Sequence, residues 1–225
     1  MATEEKQLTE KESLDLITMM INKAKNVNYE TGVSAILWGS LIAFCSLERL
    51  AELQFGYKLP FDIYLLTLVA IIPQTIISIR ENKQRPVKSY DETYVDYIWL
   101  AFGICIFMMI FIVNVIFNAA WLPLADEYQK LAAQPARYNF NEYVSSFFLL
   151  LYGLPTFITG AACKFKPMLW GGIFCWICCI ITLFTTIKID LLLTAASAIM
   201  AWLIPGIIIA KEYRHYKKEQ AVTNV

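Results

Sequence analysis

Six long apolar blocks constrain this chain more than any other feature. They cover residues 33–50, 59–79, 97–117, 144–162, 168–187 and 191–210. Each is about 18–21 residues long, and about 20 apolar residues in a helix cross the hydrocarbon core of a bilayer. Backbone N–H and C=O groups in lipid must be paired internally, so a spanning segment is a helix or part of a closed barrel. The blocks are continuous and lack the alternation of a barrel strand. The chain is therefore predicted to be an all-α integral membrane protein with six transmembrane helices. Residues 1–32 form a cytoplasmic segment, 33–210 the membrane domain and 211–225 a basic cytoplasmic tail. Charged residues make up 17% of the chain, against roughly 25% in soluble domains.

Orientation follows from the basic residues. Fourteen Lys and Arg fall on the side that carries both termini, and five on the other. Excess Lys and Arg mark the cytoplasmic side, so both ends are expected there and the 118–143 loop outside. The acidic start MATEEKQLTEKE has neither the basic start nor the apolar core of a signal peptide, so the first span is expected to direct insertion.

Ahead of the spans lies TEKESLDLITMMINKAK, residues 9–25. Thr9 and Glu12 have the spacing of a capping box. At about 100° per residue, Leu14, Leu16, Ile17, Met20, Ile21, Ala24 and Val27 fall on one face. Lys11, Asp15, Thr18, Asn22, Lys25 and Asn26 fill the other. Such a helix can lie in the headgroup layer, pack on its own bundle, or dock a partner chain or a second copy. Leu14, Ile17, Ile21 and Ala24 are the docking candidates, although two heptads are short for a coiled coil.

Two tripeptides recur. Leu37-Trp38-Gly39 precedes Pro73 by the same number of residues as Leu169-Trp170-Gly171 precedes Pro205. Three copies of one helical hairpin would give this pattern, with Trp99 and Pro155 marking a looser middle copy. Trp at interfaces and Pro tolerated in membrane helices would also give it. Pro73, Pro155 and Pro205 each remove a backbone donor and are expected to kink their helices. Gln74 and Thr75 follow Pro73 and are placed to cap the opened backbone. In the outer loop, Pro123 to Ala133 is expected to form a short interfacial helix that Pro135 ends.

Ionisable groups deep in a membrane mark ion or substrate paths. Here Glu48, Arg49, Asp62, Lys188 and Asp190 lie near outer ends, where they are expected to reach headgroups. Gln74, Asn114 and Thr156 are the polar residues that could line a cavity. Cys175, Cys178 and Cys179 form a CxxCC cluster, but no His accompanies it and free Cys is commonly a small buried residue. No nucleotide loop, catalytic triad or paired carboxylates appear, so no enzyme activity, cofactor or metal is expected. Nineteen basic residues balance nineteen acidic ones, so no global field draws nucleic acid.

The segments ESLDLITMMINKAKN, LWG, YGLPTFITG and IPG resemble a functionally uncharacterised family of short multi-pass inner-membrane proteins from Bacteroidota. The resemblance covers most of the chain. It implies a bacterial inner-membrane location and assigns no catalytic residue. The residues themselves lead to a non-enzymatic membrane protein acting through a lipid, a protein partner or a second copy. The alternative is a small transporter or channel for a neutral or lipidic solute.

Overall fold

The structure is a computed structural model that describes residues 31–84, 90–132 and 141–223. The docking candidates Leu14, Ile17, Ile21 and Ala24 lie outside these residues. Eight helices follow in order: α1 Val33–Phe55, α2 Leu66–Gln84, α3 Tyr90–Ile116, α4 Leu122–Ala132, α5 Asn141–Ala162, α6 Lys166–Ile181, α7 Ile187–Ala198 and α8 Ile204–Thr223. A 3₁₀ turn, Ile63–Leu65, opens α2. Two π turns, Phe117–Trp121 and Ile199–Leu203, join α3 to α4 and α7 to α8. Among the described residues there is no strand. Five continuous helical stretches are long and apolar enough to cross a membrane, and α6 is a shorter apolar helix. The chain is an all-α membrane protein.

Helices α1, α5, α6 and the α7–α8 rod pack together and bury the core. Small residues set the close approaches. A Cβ on Gly39 would stand 2.5 Å from the Leu203 nitrogen, and one on Gly171 2.6 Å from the Ala201 Cα. Two helices thus press their backbones against one π turn. Lipid tails are as apolar as Leu, so helices in a membrane associate through such close packing and not by escaping solvent. α5 and α6 form a hairpin in which a Cβ on Gly160 would meet the Leu169 nitrogen at 2.3 Å. Its turn uses Lys164 in a left-handed conformation at φ 53°. The connection between them, residues 163–165, is too short to let the two helices part.

Two helices are peripheral. α2 packs on α1, and α3 packs on α5. The stretch from Tyr94 to Leu131 is one helical run of 38 residues. At helical rise it is about 57 Å long, against about 30 Å of bilayer hydrocarbon. This corrects the expected outer loop at 118–143. The 123–133 helix exists as α4, but it continues from α3 without a loop between them.

The reason is a shared local pattern. Ala120-Trp121-Leu122 precedes Pro123, and Ala201-Trp202-Leu203-Ile204 precedes Pro205. Each Pro is the second residue of a helix that a π turn introduces. Proline has no N–H and its ring crowds the carbonyl four residues back. Widening the preceding turn relieves that crowding, so the helix continues past the Pro. Pro73 and Pro155 sit inside regular α-helices without this device. The capping roles expected beside Pro73 take another form. Thr75 Oγ1 bonds the Ile71 carbonyl at 2.7 Å, and Gln74 turns away to α1.

The two LWG tripeptides do not occupy matching environments. Gly171 meets Ala201 of the following span, whereas Gly39 meets Leu203 of the last span. The counterpart of Ala201 in the first hairpin is Val69, which is 61% exposed. Trp38 is hydrogen-bonded to Gln74, while Trp170 is exposed.

Candidate functional site

Trp202, on the second π turn, is the centre of the core. It is 3% exposed, and its Nε1 donates to Thr156 Oγ1 at 2.8 Å. Thr156 in turn donates to the Tyr152 carbonyl at 2.7 Å. Its hydroxyl therefore serves as both acceptor and donor. The Tyr152 ring lies 4.8 Å from Trp202, with Phe102 and Trp99 of α3 at 6.2 and 6.3 Å. These tilted and edge-on geometries suit aromatic quadrupoles. Trp99 Nε1 donates to Thr159 Oγ1 at 3.1 Å and ties α3 to α5.

The three expected cavity residues are not brought together. Gln74 accepts from Trp38 Nε1 at 3.1 Å and donates to Ser34 and Ser78 at 3.1 and 3.2 Å. It fastens α2 to α1. Asn114 donates to the Ile110 carbonyl of its own helix at 2.8 Å. Thr156 is enclosed under Trp202. Of the kink candidates, Pro155 and Pro205 are fully buried and Pro73 is half-buried.

The cysteines face different neighbours. Cys175 and Cys178 are buried in the core. Cys179 Sγ is 3.2 Å from the Ser146 carbonyl, and Cys45 Sγ is 3.6 Å from that of Ile63. Among the described residues no three His, Cys, Asp or Glu side chains are grouped to hold a metal.

The bundle end that holds the α1–α2 and α6–α7 connections is dense in polar bonds. Ser146 and Thr182 hydroxyls meet at 2.8 Å. Lys188 donates to Gln54 at 2.9 Å. Glu52 accepts from the Leu59 amide at 2.9 Å and pairs with Arg49. Tyr57 donates to Glu48 at 2.6 Å, and this bond to a carboxylate pushes the phenol up to about 12. Asp190 departs from expectation. It does not reach for headgroups: it is fully buried and accepts from Thr185 Oγ1 at 2.5 Å. It occupies the first turn of α7, where the helix dipole and amide donors favour an anion.

At the opposite end a groove of about 300 Å³ opens between the start of α1 and the ends of α2 and α8. Val33 and Ile77 supply apolar wall; Arg80, Glu81, Tyr213 and Lys217 supply polar groups. Thr31 closes one side by bonding Glu81 through its hydroxyl and its amide. Sequence reading counts Arg80 and Lys217 as markers of orientation, and Lys217 also belongs to the basic tail KEYRHYKK, for which anionic lipid is the ordinary partner. Their juxtaposition depends on the ends of α2 and α8, and the start of α1 completes the groove.

No known protein family matches the chain, and neither curated proteins nor solved structures give a match.

Proposed function

We propose that this is a non-enzymatic multi-pass membrane protein that acts through a protein or lipid partner. The observation that carries the reading is the α3–α4 run. Only one side of α3, with Trp99, Phe102 and Ile106, rests on the core. Phe107, Met108, Ile110, Phe111, Ile112 and Val115 are exposed. The run exceeds the hydrocarbon thickness by about 27 Å. Its far end, α4, carries Leu124, Tyr128 and Leu131 on one face, all exposed, and a 2.6 Å Asp126–Lys130 pair away from it. Within the hydrocarbon such residues face lipid; beyond it, the apolar face of α4 is uncovered surface of the kind that marks an interaction site. Meanwhile Gln74 and Thr156, two of the residues expected to line a transport cavity, are engaged in internal bonds.

A bacterial cytoplasmic-membrane location with both termini inside belongs to the same proposal; the basic-residue asymmetry supports the orientation. A cysteine at Ser89→Cys should be shielded from an impermeant label in intact cells, and one at Lys130→Cys should react. The reverse pattern would invert the orientation.

The main test is native mass spectrometry of the protein gently extracted from its own membrane. A stable mass increment matching another protein supports the partner reading. Deleting residues 1–27 should then abolish the complex without unfolding the spans. Unchanged assembly after that deletion would remove the N-terminal helix from the docking role. A lone chain carrying a small neutral or lipidic solute would instead favour a transporter or channel.

A further inference from the structure

We propose that the groove between α1, α2 and α8 binds the phosphate headgroup of an anionic membrane lipid. This names one lipid class for the partner reading above, and rests on that reading.

Arg80 from α2 and Lys217 from α8 line the groove together. Ion pairs of the described residues join Arg49 to Glu52 and Lys130 to Asp126, and involve neither groove cation. Among the described residues lining the groove, the one carboxylate is Glu81, held by the hydroxyl and amide of Thr31. Among these described residues, two cations against one carboxylate give a positive balance. Arg offers a planar fork and Lys a compact charge, and both form strong charge-assisted bonds to phosphate oxygens. Tyr213 adds a phenol to the same wall.

Depth selects the ligand. Val33 is the first residue of α1, and Arg80 closely follows the last apolar residues of α2. The charges therefore stand where a spanning helix leaves hydrocarbon for headgroups. Basic pockets between helices at this level take anionic headgroups. A free anion would use the cations alone. A lipid uses the cations for its phosphodiester and the apolar wall of exposed Val33 and half-buried Ile77 for its acyl chain. Both halves of the groove are then occupied.

The test uses the full-length protein in detergent micelles, titrated with phosphatidylglycerol, phosphatidylcholine and inorganic phosphate. The wild type should retain phosphatidylglycerol over phosphatidylcholine. Replacing both cations, Arg80→Gln with Lys217→Gln, should weaken phosphatidylglycerol about 30-fold, as loss of two charges near a membrane surface implies. Lys188→Gln, at the opposite end, should leave binding unchanged. Glu81→Gln should tighten it. Arg80 and Lys217 are exposed, so the double variant keeps its fold, and a single symmetric elution peak verifies this. Equal phosphatidylglycerol binding by wild type and double variant overturns the site. So does competition by inorganic phosphate as effective as that of the lipid, which would make the groove a soluble-anion site. If a protein partner is still extracted in either case, the groove assignment alone fails. If neither partner nor lipid is retained, the broader reading fails with it.

Discussion

Gly171→Val and Gly39→Val are each expected to prevent recovery of a folded, monodisperse protein. A Cβ at these positions would stand 2.6 Å from the Ala201 Cα and 2.5 Å from the Leu203 nitrogen. Both obstacles are backbone atoms of the same π turn, approached from two helices. No side chain can swing aside, so the helices must separate. Overpacking a core typically costs about 1–3 kcal/mol and sometimes more. Here a whole helix contact is lost, out of a total stability of about 5–15 kcal/mol. Gly153→Ala is the contrast. Its Cβ meets Trp176 Nε1 at 2.3 Å, a side-chain atom whose bond to the Leu150 carbonyl is 3.2 Å long. Trp176 can turn, so the loss should be smaller. Gly103→Ala, with nothing within 4 Å, should be neutral. Thermal melting and size-exclusion profiles in detergent would rank the four. A Gly171→Val protein that melts like the wild type would mean that the π turn is not clamped.

The second large effect is at Trp202. Removing a buried aromatic side chain costs about 3–5 kcal/mol in well-packed interiors. Trp202→Ala would empty the space between Tyr152, Trp99 and Phe102 and strip the Thr156 hydroxyl of its indole donor. Thr156→Val keeps the volume and deletes the hydroxyl, so the bond from the Trp202 indole and the bond to the Tyr152 carbonyl are both lost. Hydrogen bonds between membrane helices average about 0.6 kcal/mol and reach about 1.7 kcal/mol. The expected order is therefore a major drop in melting temperature for Trp202→Ala and a modest one for Thr156→Val. The double variant should lose less than the two single losses combined, because the bond is counted twice. A Thr156→Val loss as large as that of Trp202→Ala would show the hydrogen bond, and not ring packing, to be the main tie.

The helical membrane class was legible in the six apolar blocks, because block length and backbone pairing leave few alternatives. Where helices end was less legible. The polar residues after Ile116 read as a loop, yet the π turn at Phe117–Trp121 carries the helix on through Pro123. The recurrence of Ala-Trp-Leu shortly before Pro, at 120–123 and 201–205, was the available signal. Asp190 looked solvent-bound because charge is usually exposed; only its place in the first turn of α7 beside Thr185 makes burial tolerable. The candidate cavity failed for a different reason. Spans that are apolar all round show little amphipathic bias, so the rotation of Gln74, Asn114 and Thr156 about their axes cannot be inferred from periodicity. The groove was missed because Thr31, Arg80 and Lys217 meet only after three helix ends assemble.

The unequal helix lengths have a consequence for the lipid itself. α6 has 16 residues, about 24 Å of helix, and it exposes Trp170, Ile177 and Ile180. The α3–α4 run is more than twice as long. Lipid beside α6 must thin to match it, at a fraction of a kcal/mol per ångström, while lipid beside α3 need not. In elastic terms the protein is a lopsided inclusion that dents the bilayer on one flank. Two such dents cost less when they overlap. Thick, sterol-like membranes would therefore herd these molecules flank to flank, and thin ones would let them disperse.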